Sequence, residues 1–97
     1  MATKRDAYVE KLKGNIAMWN GEIDEFQAKA GKAKDEVQVE FKKQIEEMKA
    51  KRLALENKMS NLQQASEDAW EEVKTGVDIA RQILGQAVKA AKDKFNN

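Results

Sequence analysis

The sequence predicts an all-α protein made of long amphipathic, coiled-coil-like helices. Three observations lead there. Apolar residues return at steps of three and four over almost the whole chain, the period of one helix face. No proline interrupts them, and no run alternates polar and apolar residues as a half-buried strand does. The composition joins 36% charged to 41% hydrophobic residues, much of the latter alanine, as long helices and coiled coils do.

At 97 residues the chain is expected to be a single domain, 1–97. Its apolar series forms one seam. The seam begins with Leu12, Ile16, Trp19, Ile23 and Phe26 and runs through Ala30 and Ala33 to Val37, Phe41, Ile45 and Met48. It continues through Leu55, Met59 and Leu62, takes in Ala69 and Trp70, and goes on through Val73, Val77, Ala80 and Leu84 to Ala87, Ala91 and Phe95. Arg52 and Ser66 hold two slots of the same series. The mean step is about 3.6 residues, that of a straight helix rather than a strict heptad, so the helices should coil only weakly.

The first helix is expected over about 3–63. Thr3 and Asp6 have the spacing of a capping box, with Asp a shorter substitute for Glu. Gly14, Gly21 and Gly31 each cost about 1 kcal/mol relative to alanine in a helix interior. At "AKAGKAKDE" the helix could stop at Gly31 and restart under an Asp35 cap, which would make three helices of similar length. The flanking alanines and lysines favour helix, and the seam runs straight through, so continuity is expected instead.

A break is expected near 63–66, and a second helix over about 66–95. Ser66 is a good N-cap, and Glu67 and Asp68 follow it in the first turn. Lys89, Lys92 and Lys94 lie toward the far end, as the helix dipole prefers. The apolar face of this second helix is broad: Val77, Ile79, Ala80, Ile83, Leu84, Ala87 and Val88 already span much of the circumference. A face that wide needs more than one neighbour. The second helix is therefore expected to return along the first as a hairpin.

A hairpin of unequal arms leaves about half of the long helix uncovered. The rest of the seam is expected to meet another chain, giving a homo-oligomer, a dimer or a tetramer. Arg52, in its apolar slot, would then help to fix register or oligomer number, or its long stem would snorkel to the rim.

Three stretches, "KRDAYVEKLKGNIAMWNGEIDEF", "EFKKQIEEMKAKR" and "SEDAWEEVKTGVDIA", resemble a group of small bacterial coiled-coil proteins of unassigned function. The resemblance covers most of the chain. It implies a non-enzymatic helical protein and transfers no catalytic residue.

The residues themselves argue against chemistry. The chain has no His and no Cys, so the commonest general base, the thiol nucleophile and thiolate metal sites are all missing. Ser60 and Ser66 have no histidine to activate them. Acidic neighbours such as Glu46–Glu47 and Glu71–Glu72 point about 100° apart on a helix and face water rather than a shared cleft. The five glycines are dispersed singly and form no phosphate loop. No catalytic, cofactor or metal residues are expected, and no small-molecule substrate.

With 18 basic and 17 acidic residues interleaved, no stripe attracts nucleic acid. No stretch approaches the roughly 18 apolar residues of a spanning helix, and the opening "MATKRDAYVEK" has no apolar signal core. A cytoplasmic protein is expected, or a periplasmic one if a signal peptide has been removed. The leading expectation is a structural or interaction protein that self-associates through its seam. The alternative is a peripheral, apolipoprotein-like lipid binder that uses the broad face of its last helix.

Overall fold

Thr3 starts the first helix by the expected box. Its hydroxyl accepts from the Asp6 amide at 3.1 Å, and its own amide donates to the Asp6 carboxylate at 3.2 Å. Helix α1 runs Lys4–Lys32, α2 Asp35–Gln64 and α3 Trp70–Phe95. This computed structural model describes residues 3–95, without the side chain of Phe95, so that part of the predicted seam lies outside the described residues. Every described secondary-structure element is helical.

The single helix expected over 3–63 is two helices. Ala33 (ψ 159°) and Lys34 (ψ 152°) are both extended, and the chain reverses there. Gly31 is not the device: it lies inside α1, and no described residue has a positive φ. Charge order marks the site instead. Lys29 and Lys32 sit in the last turn of α1, and Asp35 and Glu36 in the first turn of α2, each favoured by its dipole end. The Gln38 side-chain amide closes the corner, its Nε2 donating to the Ala30 carbonyl at 3.0 Å. Helix propensity and seam continuity are both local, and neither registers the burial gained when Phe26 and Ala30 fold back toward Phe41 and Ile45.

The second junction is longer. Ala65 is extended, and the Ser66 carbonyl accepts from the amides of Ala69 and Trp70, making one turn that leads into α3. Arg5 holds this turn from α1. Its guanidinium donates to the Ala65 carbonyl at 2.8 Å, pairs with Glu67 at 3.3 Å, and lies over the Trp70 ring at 5.7 Å. These bonds occupy a carbonyl that the end of α2 would otherwise leave to solvent.

Cross-helix contacts set an up-down-up bundle, 51 × 20 × 18 Å. Asn20 meets Arg52, and Arg5 meets Ala65, so α1 and α2 are antiparallel. Tyr8 meets Asp78 and Glu22 meets Lys92, so α1 and α3 are parallel. Glu40 pairs with Lys94, and Lys58 stands beside Gly76, so α2 and α3 are antiparallel.

The predicted seam is the interior of this one chain. Leu12, Ile16, Trp19, Ile23 and Phe26 from α1 are buried, as are Phe41, Ile45, Met48, Leu55 and Leu62 from α2, and Val77 and Leu84 from α3. Met59, Trp70 and Val73 are partly buried against them. Val37 is not interior: it is 46% exposed, in the opening turns of α2. No polar or charged residue among those described is buried. Folding as three helices of similar length removes the premise of the expected oligomer, because α2 and α3 together cover the face of α1 that a two-armed hairpin would leave bare.

Candidate functional site

Arg52, the charged residue in the seam, has its described partners within the chain. It donates to Asn20 Oδ1 at 2.8 Å and lies 3.6 Å from the Glu56 carboxylate, with its side chain 27% exposed. A long stem packed at the rim with its head toward water is how arginine meets an apolar slot. Within the chain it ties α1 to α2.

A second polar cluster ties α1 to α3. The Tyr8 hydroxyl donates to the Asp78 carboxylate, Lys74 lies 5.2 Å from the Tyr8 ring centroid, and Arg81 approaches Asp78 at 3.7 Å. Burial, and then the bond to Asp78, push the Tyr8 hydroxyl well above its ordinary value. At the far end Glu40 is held below the usual carboxylate range by its hydrogen bond and charge contact with Lys94. The Tyr8 cluster is part-buried and the Glu40–Lys94 pair is exposed, and in each the groups are engaged with one another.

The broad apolar face predicted for the last helix divides in two. Val77, Leu84, Val88 and Ala91 turn inward and are buried. Ile79 and Ile83 turn outward and remain 55% and 46% exposed. They border a groove of about 440 Å³ between α2 and α3, whose other lining residues are Lys51, Ala54, Lys58, Gly76 and Ala80. The floor is made of small residues, and the two lysines stand along the α2 side.

The stripe extends along α3. Glu72, Gly76, Ile79, Ile83 and Ala90 follow at steps of four, three, four and seven, so they share one side of the helix. Glu72 and Ala90 are exposed at its ends. A side chain added at Gly76 would meet only the tip of Lys58, at 3.9 Å, so internal packing does not require glycine there. Gly85, on the α1 side, differs: a Cβ there would come within 3.2 Å of the Trp19 ring. Met18, Val39 and Leu53 are also exposed but line none of the four principal grooves.

Helical periodicity puts Ile79 and Ile83 on the broad face without separating them from the core. It did not single out Lys51, Lys58, Glu72 or Gly76 as a group. Their proximity depends on the packing of α2 against α3, which the periodicity of either helix does not encode.

Among the described residues no group of three or more acidic side chains is arranged to hold a metal ion, and no helix is long and apolar enough to cross a membrane. Comparison of the chain with protein-family models, with curated proteins and with solved structures finds no match.

Proposed function

We propose that this chain is a non-enzymatic interaction protein that self-associates, with the α2–α3 face as its contact surface instead of the seam. The observation that carries the reading is the exposed pair Ile79 and Ile83 on a helix whose Val77, Leu84 and Val88 are buried and whose Trp70 and Val73 are partly buried. Contiguous apolar surface beside a groove is where helical proteins gain free energy by association. The polar clusters at Arg5, Tyr8 and Arg52 are engaged within the bundle, and among the described exposed apolar residues Ile79 and Ile83 are the pair that borders a groove.

Sedimentation equilibrium over a wide concentration range tests the reading. The wild-type chain should gain mass with concentration, and an Ile79→Ser/Ile83→Ser double variant should stay monomeric with its helicity intact. A wild-type monomer at every concentration would sink the proposal.

A lipid surface is the second reading, favoured by Lys51 and Lys58 beside the apolar stripe. The concave groove and the acidic Glu72 weigh against it, since an anionic headgroup layer is flat and repels carboxylates. Flotation with vesicles of anionic phospholipid at physiological salt should leave the protein at the bottom of the gradient.

A further inference from the structure

We infer that the occupant of the α2–α3 face is a second copy of the chain, joined by a two-fold contact in which the two α3 helices lie antiparallel and Lys51 of each copy meets Glu72 of the other. This inference rests on the self-association proposed above and adds its geometry.

The face carries both signs of charge around an apolar centre. Lys51 and Lys58 stand on α2, and Glu72 on α3. None of the three has an ion-pair partner within 4.0 Å among the described residues. A two-fold interface must complement itself, so each patch needs both an acid and a base at matched distances from the axis. This patch has them.

The register follows from packing inside the protomer. Glu40 pairs with Lys94, and Lys58 stands beside Gly76. The same antiparallel offset sets Lys51 level with Ile83, at the edge of the groove that both line. An axis crossing α3 close to Val77 then puts Ile79 of each copy over Gly76 of the other. Ile83 lies along the stem of the other copy's Glu72, whose carboxylate comes level with Lys51. Gly76, which no internal contact requires, becomes the notch that admits an isoleucine.

The rival register places Ile79 of one copy against Ile83 of the other. It carries Glu72 about two turns from Lys51 and to within a turn of Glu47, so it lacks the Lys51–Glu72 pair, and the loss of that pair selects against it. In the inferred register Asp68 comes level with Glu47, which keeps the association weak. Size points the same way. In this register the two stripes overlap from Glu72 to Ile83, about 17 Å, and two helices are about 20 Å wide. The pair would bury about 700 Å², below the range of stable specific interfaces. The expected product is a reversible dimer, closed at two copies.

Charge reversal tests the register on the full chain by sedimentation equilibrium, with circular dichroism confirming that each variant is folded. Lys51→Glu alone sets two carboxylates together twice per dimer, and Glu72→Lys alone sets two ammonium groups together twice. Each should dimerise at least about 10-fold more weakly than wild type. An equimolar mixture of the two variants restores an opposite-charge pair at both contacts, and it should dimerise close to the wild-type level. Raised salt should weaken the wild-type dimer. A mixture no tighter than its components, while wild type dimerises and Ile79→Ser/Ile83→Ser does not, would overturn this register and leave the proposed function standing. A tetramer in place of a dimer would overturn the two-fold closure. A wild-type monomer throughout would overturn both the register and the proposed function.

Discussion

Leu84 has no exposed surface, whereas Ile83, one residue earlier on the same helix, keeps 46% of its surface in solvent. The two side chains have similar apolar area and the same helical surroundings. A rotation of about 100° separates them. Leu84 turns toward the interior built from all three helices, with Val77 and Val88 on the same side. Ile83 turns toward the groove beside α2, over alanine and glycine, with lysine at the margin. The difference teaches that α3 carries a wider apolar face than the three-helix bundle buries. The inner strip holds the fold together, and the outer strip is available for association. A helix polar on its whole outer side would serve the first task equally well.

The sharpest way to break this comparison is to empty the inner strip. Leu84→Ala should destabilise the bundle by about 3 kcal/mol, since it removes a fully buried leucine and leaves a cavity. Urea unfolding followed by circular dichroism measures it. A loss well under about 1 kcal/mol would mean that Leu84 and Ile83 are not in different environments.

Two glycines sharpen the boundary. At Gly85 an added methyl presses on the ring of Trp19, itself buried, so Gly85→Ala should lower stability by about 1 kcal/mol despite the better helix propensity of alanine. Gly21 has nothing within 4 Å of an added Cβ, and Gly21→Ala should raise stability by about 0.8 kcal/mol. Thermal melts of the two variants should therefore move in opposite directions. Movement in the same direction would show that α3 does not sit against α1 at Trp19.

Tyr8→Phe probes the polar tie on the α1 side of α3 and should cost about 1 kcal/mol at neutral pH. It also has a pH signature. The Tyr8 hydroxyl is raised above 10.0 by burial first and by Asp78 second. Its contribution is complete below pH 10.0 and is lost as pH rises toward the folded-state value, because the unfolded chain gives up the phenol proton first. Unfolding curves from pH 8 to pH 11 should show a steeper fall for wild type than for Tyr8→Phe. Parallel curves would place Tyr8 in solvent.

The smallest effect on stability belongs to the outer strip. Ile79→Ser and Ile83→Ser should each change the unfolding free energy by less than about 0.5 kcal/mol, because both side chains are already about half in water. Their effect should fall on self-association instead. A large loss of stability at either position would show the outer strip to be part of the protomer's own core.

Much of this architecture was legible in the residues. Spacing alone put Leu12, Ile23, Met48, Leu55, Leu62 and Leu84 on one apolar seam, and in the structure each has at most 1% of its surface exposed. Thr3 and Asp6 marked the start of α1. The candidate face was half legible. Ile79 and Ile83 stood out because the last helix is apolar over too much of its circumference, but Lys51, Lys58 and Gly76 did not. They lie on another helix or contribute no side chain, and only the offset of α2 against α3 brings them to one groove.

By itself the sequence determined what a local rule can determine: helical period, the side of each helix that is apolar, the capped beginning of the chain, and the lack of imidazole and thiol chemistry. These depend on residues three or four apart. Only the tertiary structure decided that the chain reverses at Ala33 and Lys34, because the apolar series has the same phase whether the helix continues or turns back. What separates the two outcomes is burial between residues far apart, as where Phe26 and Phe41 join one interior. The same nonlocal packing turned a seam expected to join chains into the core of a single one, and it left Ile79 and Ile83 outside.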